Sequence, residues 1–284
     1  MKFINAILSG TLRSLRSLKA LLFIWLVTLI FISAVVFPLK KFIQSALGSS
    51  KATDLISESF NIAFFPDLGA SFKPMMSGLS SGTLLLLLLV MLLYIFLNGG
   101  LFDSLRANKC SYKVREFLHA SGKLFVSYLV LTILMLLMII FTLFLVVGLP
   151  LIISRSAGSG SEQSFLRLAG ILRVVVILIL PVLLLVVDYA RAWLASNDHT
   201  KVFKAIGYGF RATFRSFFSS YLFMLLMIVV QGLFVWLVSK ILVGWNPMSA
   251  GGLFVLFLLT QALFFLRLFL RAIRYGGVTA LYQS

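Results

Sequence analysis

Residues Leu84–Phe102 read LLLLLLVMLLYIFLNGGLF, and the first fourteen positions are apolar without interruption. Wound as a helix at 1.5 Å per residue, the stretch nearly matches the roughly 30 Å hydrocarbon core of a bilayer. No soluble core could hide such a run. The rest of the chain agrees, with 61% hydrophobic and 12% charged residues over 284 positions, against roughly 45 to 50% and about 25% in a soluble domain. The fold class expected is all-α, a polytopic membrane helix bundle.

Working outward from Leu84, five comparable stretches complete a set of six spans, at about 20–39, 84–103, 124–150, 168–190, 220–243 and 250–270. The whole of 1–284 then forms a single transmembrane domain. The first stretch is expected to be retained rather than cleaved as a signal peptide. A long basic segment precedes it, Ala20–Phe37 exceeds a typical signal core, and no clean A-x-A site follows.

Six is even, so both termini share a side. Seventeen of the 25 Lys and Arg fall there. They are Lys2, Arg13, Arg16 and Lys19, then Arg106, Lys109, Lys113, Arg115 and Lys123, then Arg191, Lys201, Lys204, Arg211 and Arg215, and finally Arg267, Arg271 and Arg274. The positive-inside rule makes that side, and both termini, cytoplasmic. The net charge of +17 flanks apolar spans instead of coating a soluble surface, so anionic lipid headgroups are the expected partner and nucleic acid is not. A membrane or cytoplasmic protein partner stays open.

On the opposite face, residues 41–82 mix Gly and Ser with Phe60, Phe64, Phe65 and Phe72. This reads as a surface loop lying on the interface, with a substrate vestibule or lid as the alternative. Ser154–Ser161, SRSAGSGS, reads as a flexible turn.

Ahead of the first span, Ile4, Ile7, Leu8, Leu12, Leu15 and Leu18 recur at helical spacing while Ser9, Arg13 and Arg16 take another face. That pattern predicts an amphipathic helix along the cytoplasmic leaflet. It returns before the fifth span. Lys2, Ala6, Ile7, Gly10, Arg16 and Ser17 match Lys201, Ala205, Ile206, Gly209, Arg215 and Ser216 at a constant offset. Before the third span Lys113-Val114 echoes Lys201-Val202. The reading is an interfacial helix before spans one, three and five, with three repeated units near 1–107, 108–197 and 198–284 as one explanation and chance matching of apolar composition as the other.

Charged residues inside or at the ends of spans are the candidate site. Asp103-Ser-Leu-Arg106 closes the second span and Asp188-Tyr-Ala-Arg191 the fourth, each with carboxylate and guanidinium on one helix face. Arg267, Arg271 and Arg274 form one stripe after the sixth. Because a carboxylate at hydrocarbon depth usually has a partner, Asp103 or Asp188 is expected to meet Arg267 or Arg271 across the bundle. Asp188 should be the deeper of the two. With Gln231 in span five, Asp103, Arg106, Asp188 and Arg191 form a candidate intramembrane polar cluster. Arg13, Arg16, Arg211, Arg215, Arg267, Arg271 and Arg274 are the candidate headgroup or anionic-ligand contacts. Local helix-end ion pairs with snorkelling arginines are the plainer reading of the same residues, and a proton relay through Asp188 a third. Pro181 is expected to kink span four. Gln231 and Asn98-Gly99-Gly100 fit helix packing better than chemistry.

No catalytic, cofactor or metal signature stands out. His119 and His199 lie in separate connections, Cys110 is the single cysteine, and no H-E-x-x-H or phosphate-loop pattern occurs. The Gly99–Phe102 exit from span two, Phe117 on an amphipathic stretch, and Asp188-Tyr-Ala-Arg191 after span four together resemble a group of six-span bacterial membrane proteins. Their layout is similar to the membrane domain attached to some glycerophosphodiester phosphodiesterases. The resemblance implies a bacterial cytoplasmic membrane, an all-helical bundle and a role near lipids. It carries over no catalytic residue, since the soluble hydrolytic domain of that family has no counterpart in these 284 residues. A non-enzymatic lipid-associated organising or accessory protein is the leading expectation, with a transporter or channel for a small or amphipathic substrate as the alternative. A water-accessible cavity at bilayer depth near Pro181 would favour the alternative.

Overall fold

The computed structural model describes residues 2–47, 72–106, 113–156, 162–197, 201–243, 245 and 249–283. Within them every regular element is helical: α1 Lys2–Arg16, α2 Leu18–Leu47, α3 Phe72–Ser104, α4 Val114–Leu143, a π-helical turn Phe144–Gly148, α5 Leu149–Ser156, α6 Glu162–Asn197, α7 Val202–Arg215, α8 Phe217–Val243 and α9 Ala250–Gln283. Most of the expected outer loop, and parts of the Ser154–Ser161 turn, lie outside the described residues. So do Lys109, Cys110 and His199.

Five of these helical runs are long and apolar enough to cross a bilayer, and the bent pair Ile4–Arg16 with Leu18–Ala34 brings the number to six. The chain is a multi-pass membrane protein. One run, Val114–Ser154, is 41 residues long and carries α4 through the π turn into α5. The chain divides into two compact units, Met1–Phe23 with Ile95–Ser284, and Ile24–Tyr94. In the smaller unit Thr28 is buried and donates to the Ile24 carbonyl at 2.7 Å, which hides its hydroxyl within its own helix. All that follows concerns the larger unit.

Ser17 separates α1 from α2, and the two axes meet at 66°. Ser216, its counterpart in the sequence match, separates α7 from α8. Each break turns an interfacial helix into a span. Before the third span the outcome differs from the expectation, because Val114–Leu143 is one helix and the amphipathic stretch forms its first turns.

The match between α1 and α7 extends to packing. Ala6, Gly10 and Ser14 are buried on α1, as are Ala205, Gly209 and Thr213 on α7. The Ser14 and Thr213 hydroxyls each donate to the carbonyl four residues back, Gly10 and Gly209, at the same 2.8 Å. Both ridges press against a span at backbone range. A Cβ on Gly10 would lie 2.6 Å from the Ile273 carbonyl oxygen of α9, and one on Gly209 would lie 2.5 Å from that of Val186 on α6. The third crossing sets Gly99 and Gly100 of α3 against Ser121 and Phe117 of α4, where a Cβ on Gly100 would come within 2.6 Å of the Phe117 ring. Small residues allow this approach because lipid tails are as apolar as side chains and close van der Waals contact has to hold the helices together.

The buried core of this unit follows from these crossings. Phe102, Phe117, Tyr128, Leu185, Tyr189, Phe223, Met224 and Tyr275 are all essentially inaccessible. They cluster near the basic ends of the spans. The far ends carry their apolar side chains outward, as at Ile177, Leu233, Trp236, Phe254 and Phe257, all more than half exposed. Such a surface suits lipid rather than water. Pro181 sits within an unbroken α6, and one turn before it the Tyr221 hydroxyl donates to the Leu178 carbonyl at 3.3 Å. The carbonyl that Pro181 leaves without its helical donor is the neighbouring one, Ile177, four residues back.

Gly209→Ala should therefore lower the melting temperature of the purified protein, corresponding to about 1 to 3 kcal/mol of overpacking. Gly207→Ala, where a Cβ meets nothing within 4 Å, should leave it unchanged or raise it. Equal melting temperatures for the two variants would show that the close crossing does not set the fold's stability.

Candidate functional site

Two i,i+3 pairs read from the sequence are present. Asp103 lies 3.3 Å from Arg106 and Asp188 lies 3.7 Å from Arg191. Asp188 is the more deeply buried carboxylate, its side chain 1% exposed against 9% for Asp103. The cross-bundle contact also forms, on a different arginine from those expected. Asp188 Oδ2 sits 3.1 Å from Arg274 Nε, so the last member of the α9 stripe takes the role assigned to Arg267 or Arg271. Helix rotation explains the change. Tyr275, Gly276 and Gly277 face the interior, which brings Arg274 round to α6.

The stripe is graded along its length. Arg267 is exposed, Arg271 is half-buried with its Nε donating to the Tyr275 hydroxyl at 2.8 Å, and Arg274 is largely buried. Arg271 and Arg274 both lie over the Tyr275 ring, at 5.3 and 4.9 Å from its centroid. The ring's negative face offsets part of their charge. Phe102 packs against that ring with the two centroids 4.5 Å apart. Arg191 is tied in through Thr132, whose hydroxyl is 3.4 Å from its Nη2, and through Tyr128, which donates to the Arg191 carbonyl at 2.9 Å.

The two oxygens of Asp188 and the Nε atoms of Arg191 and Arg274 have no aligned hydrogen bond among the described residues. The cluster is held by charge attraction. Two guanidiniums directly face one carboxylate in a place with little water, and removal of the carboxylate would leave both uncompensated.

The remaining site residues divide by position. Arg106 reaches the Ser196 carbonyl at 3.1 Å, linking the end of α3 to the end of α6. Arg13 is half-buried and points at Thr279 Oγ1 and the Leu105 carbonyl, at 3.2 and 3.5 Å. It stitches α1 to α9 and the end of α3. Arg16, Arg211 and Arg215 are exposed. Gln231 stands apart: its amide nitrogen is buried without a hydrogen-bond partner among the described residues, so no hydrogen bond from it joins the Asp188 cluster. Asn98, Gly99 and Gly100 are buried at a helix crossing, as a packing role requires.

Sequence reading did not single out the aromatic frame of this region. Tyr208 of α7 packs against Trp193 at a tilt and edge-on against Tyr282, and Asn197 donates to the Tyr282 hydroxyl at 2.9 Å. Burial, and then Tyr282 beside it, raises the Tyr208 phenol above its ordinary value. Nor was a cleft of about 800 Å³ foreseen, between Asp103-Arg106 and the first turns of α4. No signal in the linear sequence marks it, because its two walls lie on different helices that meet where Gly99 and Gly100 pack against Phe117 and Ser121. Among the described residues no group of His, Cys, Asp and Glu could hold a metal ion. No known protein family matches the chain, and neither does a curated protein or a solved structure.

Asp188→Asn should cost about 3 to 5 kcal/mol by stranding Arg191 and Arg274, seen as a lower melting temperature in detergent. Pairing it with Arg274→Met should recover part of the loss. If the double variant is as unstable as the sum of the two single ones, the ion pair is not the reason for the cost.

Proposed function

We propose that the chain is a non-enzymatic multi-pass protein of a bacterial cytoplasmic membrane, with both termini inside, that binds anionic lipid headgroups and organises lipids or assists a membrane partner. The observation that carries this reading is the three-sided character of α1 and α7. One side is the buried ridge of small residues. A second is apolar yet exposed, with Ile4, Leu8, Leu12 and Leu15 on α1 and Phe203 and Phe214 on α7. The third carries exposed Arg16, Arg211 and Arg215.

Exposed apolar and basic residues on a rigidly docked helix suit the boundary between acyl chains and phosphates. The ridge fixes the helix, the apolar side enters the leaflet, and the arginines meet headgroups. Arg13 belongs to the bundle rather than to this surface. Its omission sharpens the expected headgroup contacts to the three exposed arginines and Arg267 at the lipid-facing end of the α9 stripe. The resemblance to membrane domains of lipid-related phosphodiesterases points the same way, and the reading requires no catalytic group.

At roughly 1 kcal/mol per basic residue near an anionic surface, Arg16→Gln, Arg211→Gln and Arg215→Gln together should weaken retention of phosphatidylglycerol about a hundredfold. Native mass spectrometry of the detergent-purified protein, titrated with phosphatidylglycerol or phosphatidylcholine, reads this directly. Unchanged phosphatidylglycerol binding would remove the proposal's basis.

A further inference from the structure

The cleft beside α4 is separate from the arginines of α1 and α7. It is an open-sided cleft of about 800 Å³, lined by four cationic side chains, Arg106, Lys113, Arg115 and Lys123, and by the two carboxylates Asp103 and Glu116. That volume lies in the range of small-molecule sites. The carboxylates stand next to cations of the same wall. Asp103 is 3.3 Å from Arg106, and Glu116 is 3.5 Å from Lys113. Arg106 is further fixed by the Ser196 carbonyl at 3.1 Å. One wall is thus already oriented before any ligand arrives.

The other wall differs. Arg115 and His119 have no hydrogen bond or ion pair among the described residues, and both are exposed. Buried Leu124 and half-buried Ala120 add an apolar patch where α4 begins to enter its apolar run. The cleft therefore offers converging cations above and apolar surface beside them. A dianionic tetrahedral group matches that lining better than a carboxylate, because it can accept from several donors arriving in different directions.

We infer that this cleft is a binding site for a phosphate group, carried either by a lipid headgroup or by a small soluble phosphate compound. Arg106 forms the fixed wall, while Lys113, Arg115 and Lys123 close on the phosphate. The inference deepens the headgroup reading by naming one site, and it rests on that reading only for the lipid form of the ligand.

The test uses the full chain. Pyrophosphate binding is measured by calorimetry on protein in phosphatidylcholine nanodiscs, and phosphatidylglycerol binding by native mass spectrometry in detergent. Wild type should bind at least one of the two. Lys113→Gln with Arg115→Gln and Lys123→Gln should weaken that binding on the order of a hundredfold with the melting temperature unchanged. Loss in the pyrophosphate arm assigns a soluble ligand, and loss of a single tight phosphatidylglycerol assigns a headgroup. Should the triple variant melt early, Arg115→Glu alone, on an exposed side chain, must give the same loss. The Arg16, Arg211 and Arg215 variant separates the two readings, since it should retain the cleft ligand while losing other anionic lipid. Wild type binding neither probe, or cleft variants binding like wild type, would overturn the inference.

Discussion

Backbone-to-backbone approach at small residues is the constraint on which the larger unit depends. Gly10 meets the backbone of Ile273 and Gly277, Gly209 meets that of Val186, and Gly100 lies against the Phe117 ring and the Ser121 hydroxyl; none of the three leaves room for a methyl group. In a bilayer the burial of apolar area gives helices little reason to associate, so contact distance has to supply the attraction. Two of the long-range polar contacts follow from this gathering of the helices. Arg13 can reach Thr279 because α1 lies directly on α9, and Arg106 can reach Ser196 because the ends of α3 and α6 are gathered in.

The buried charges are arranged around that frame rather than supporting it. One carboxylate, Asp188, faces Arg191 and Arg274, and the aromatic ring of Tyr275 lies under Arg271 and Arg274. An ion pair removed from water seldom adds net stability compared with apolar packing. Its better-founded effect is to fix how α6 and α9 are rotated against each other, since a slip of one residue would carry Arg274 away from Asp188.

Much of the fold was legible because a bilayer imposes its own thickness: Leu84–Leu97 could be little else than a span, and the basic flanks ordered the rest. The i,i+3 pairs were legible for the same reason, being properties of one helix. What lay beyond reach was rotation. Nothing in the stripe Arg267, Arg271 and Arg274 says which member turns inward, because the answer depends on Gly276 and Gly277 meeting an N-terminal helix from the far end of the chain. The same holds for Arg13, which reads as a headgroup contact by spacing and proves half-buried by packing. The match of α1 with α7 could be seen in letters, and its meaning, a shared docking ridge, only in contacts.

The continuous run Val114–Ser154 has a mechanical consequence. Its 41 residues amount to about 60 Å of helix, twice the hydrocarbon thickness. Its basic start can project from the membrane, but from Leu124 onward the side chains are almost wholly apolar and have to stay in lipid. Such a segment leans, bends at its π turn, or thickens the bilayer around it. A run of this length is accommodated only where the helix tilts or the bilayer adjusts its thickness to it.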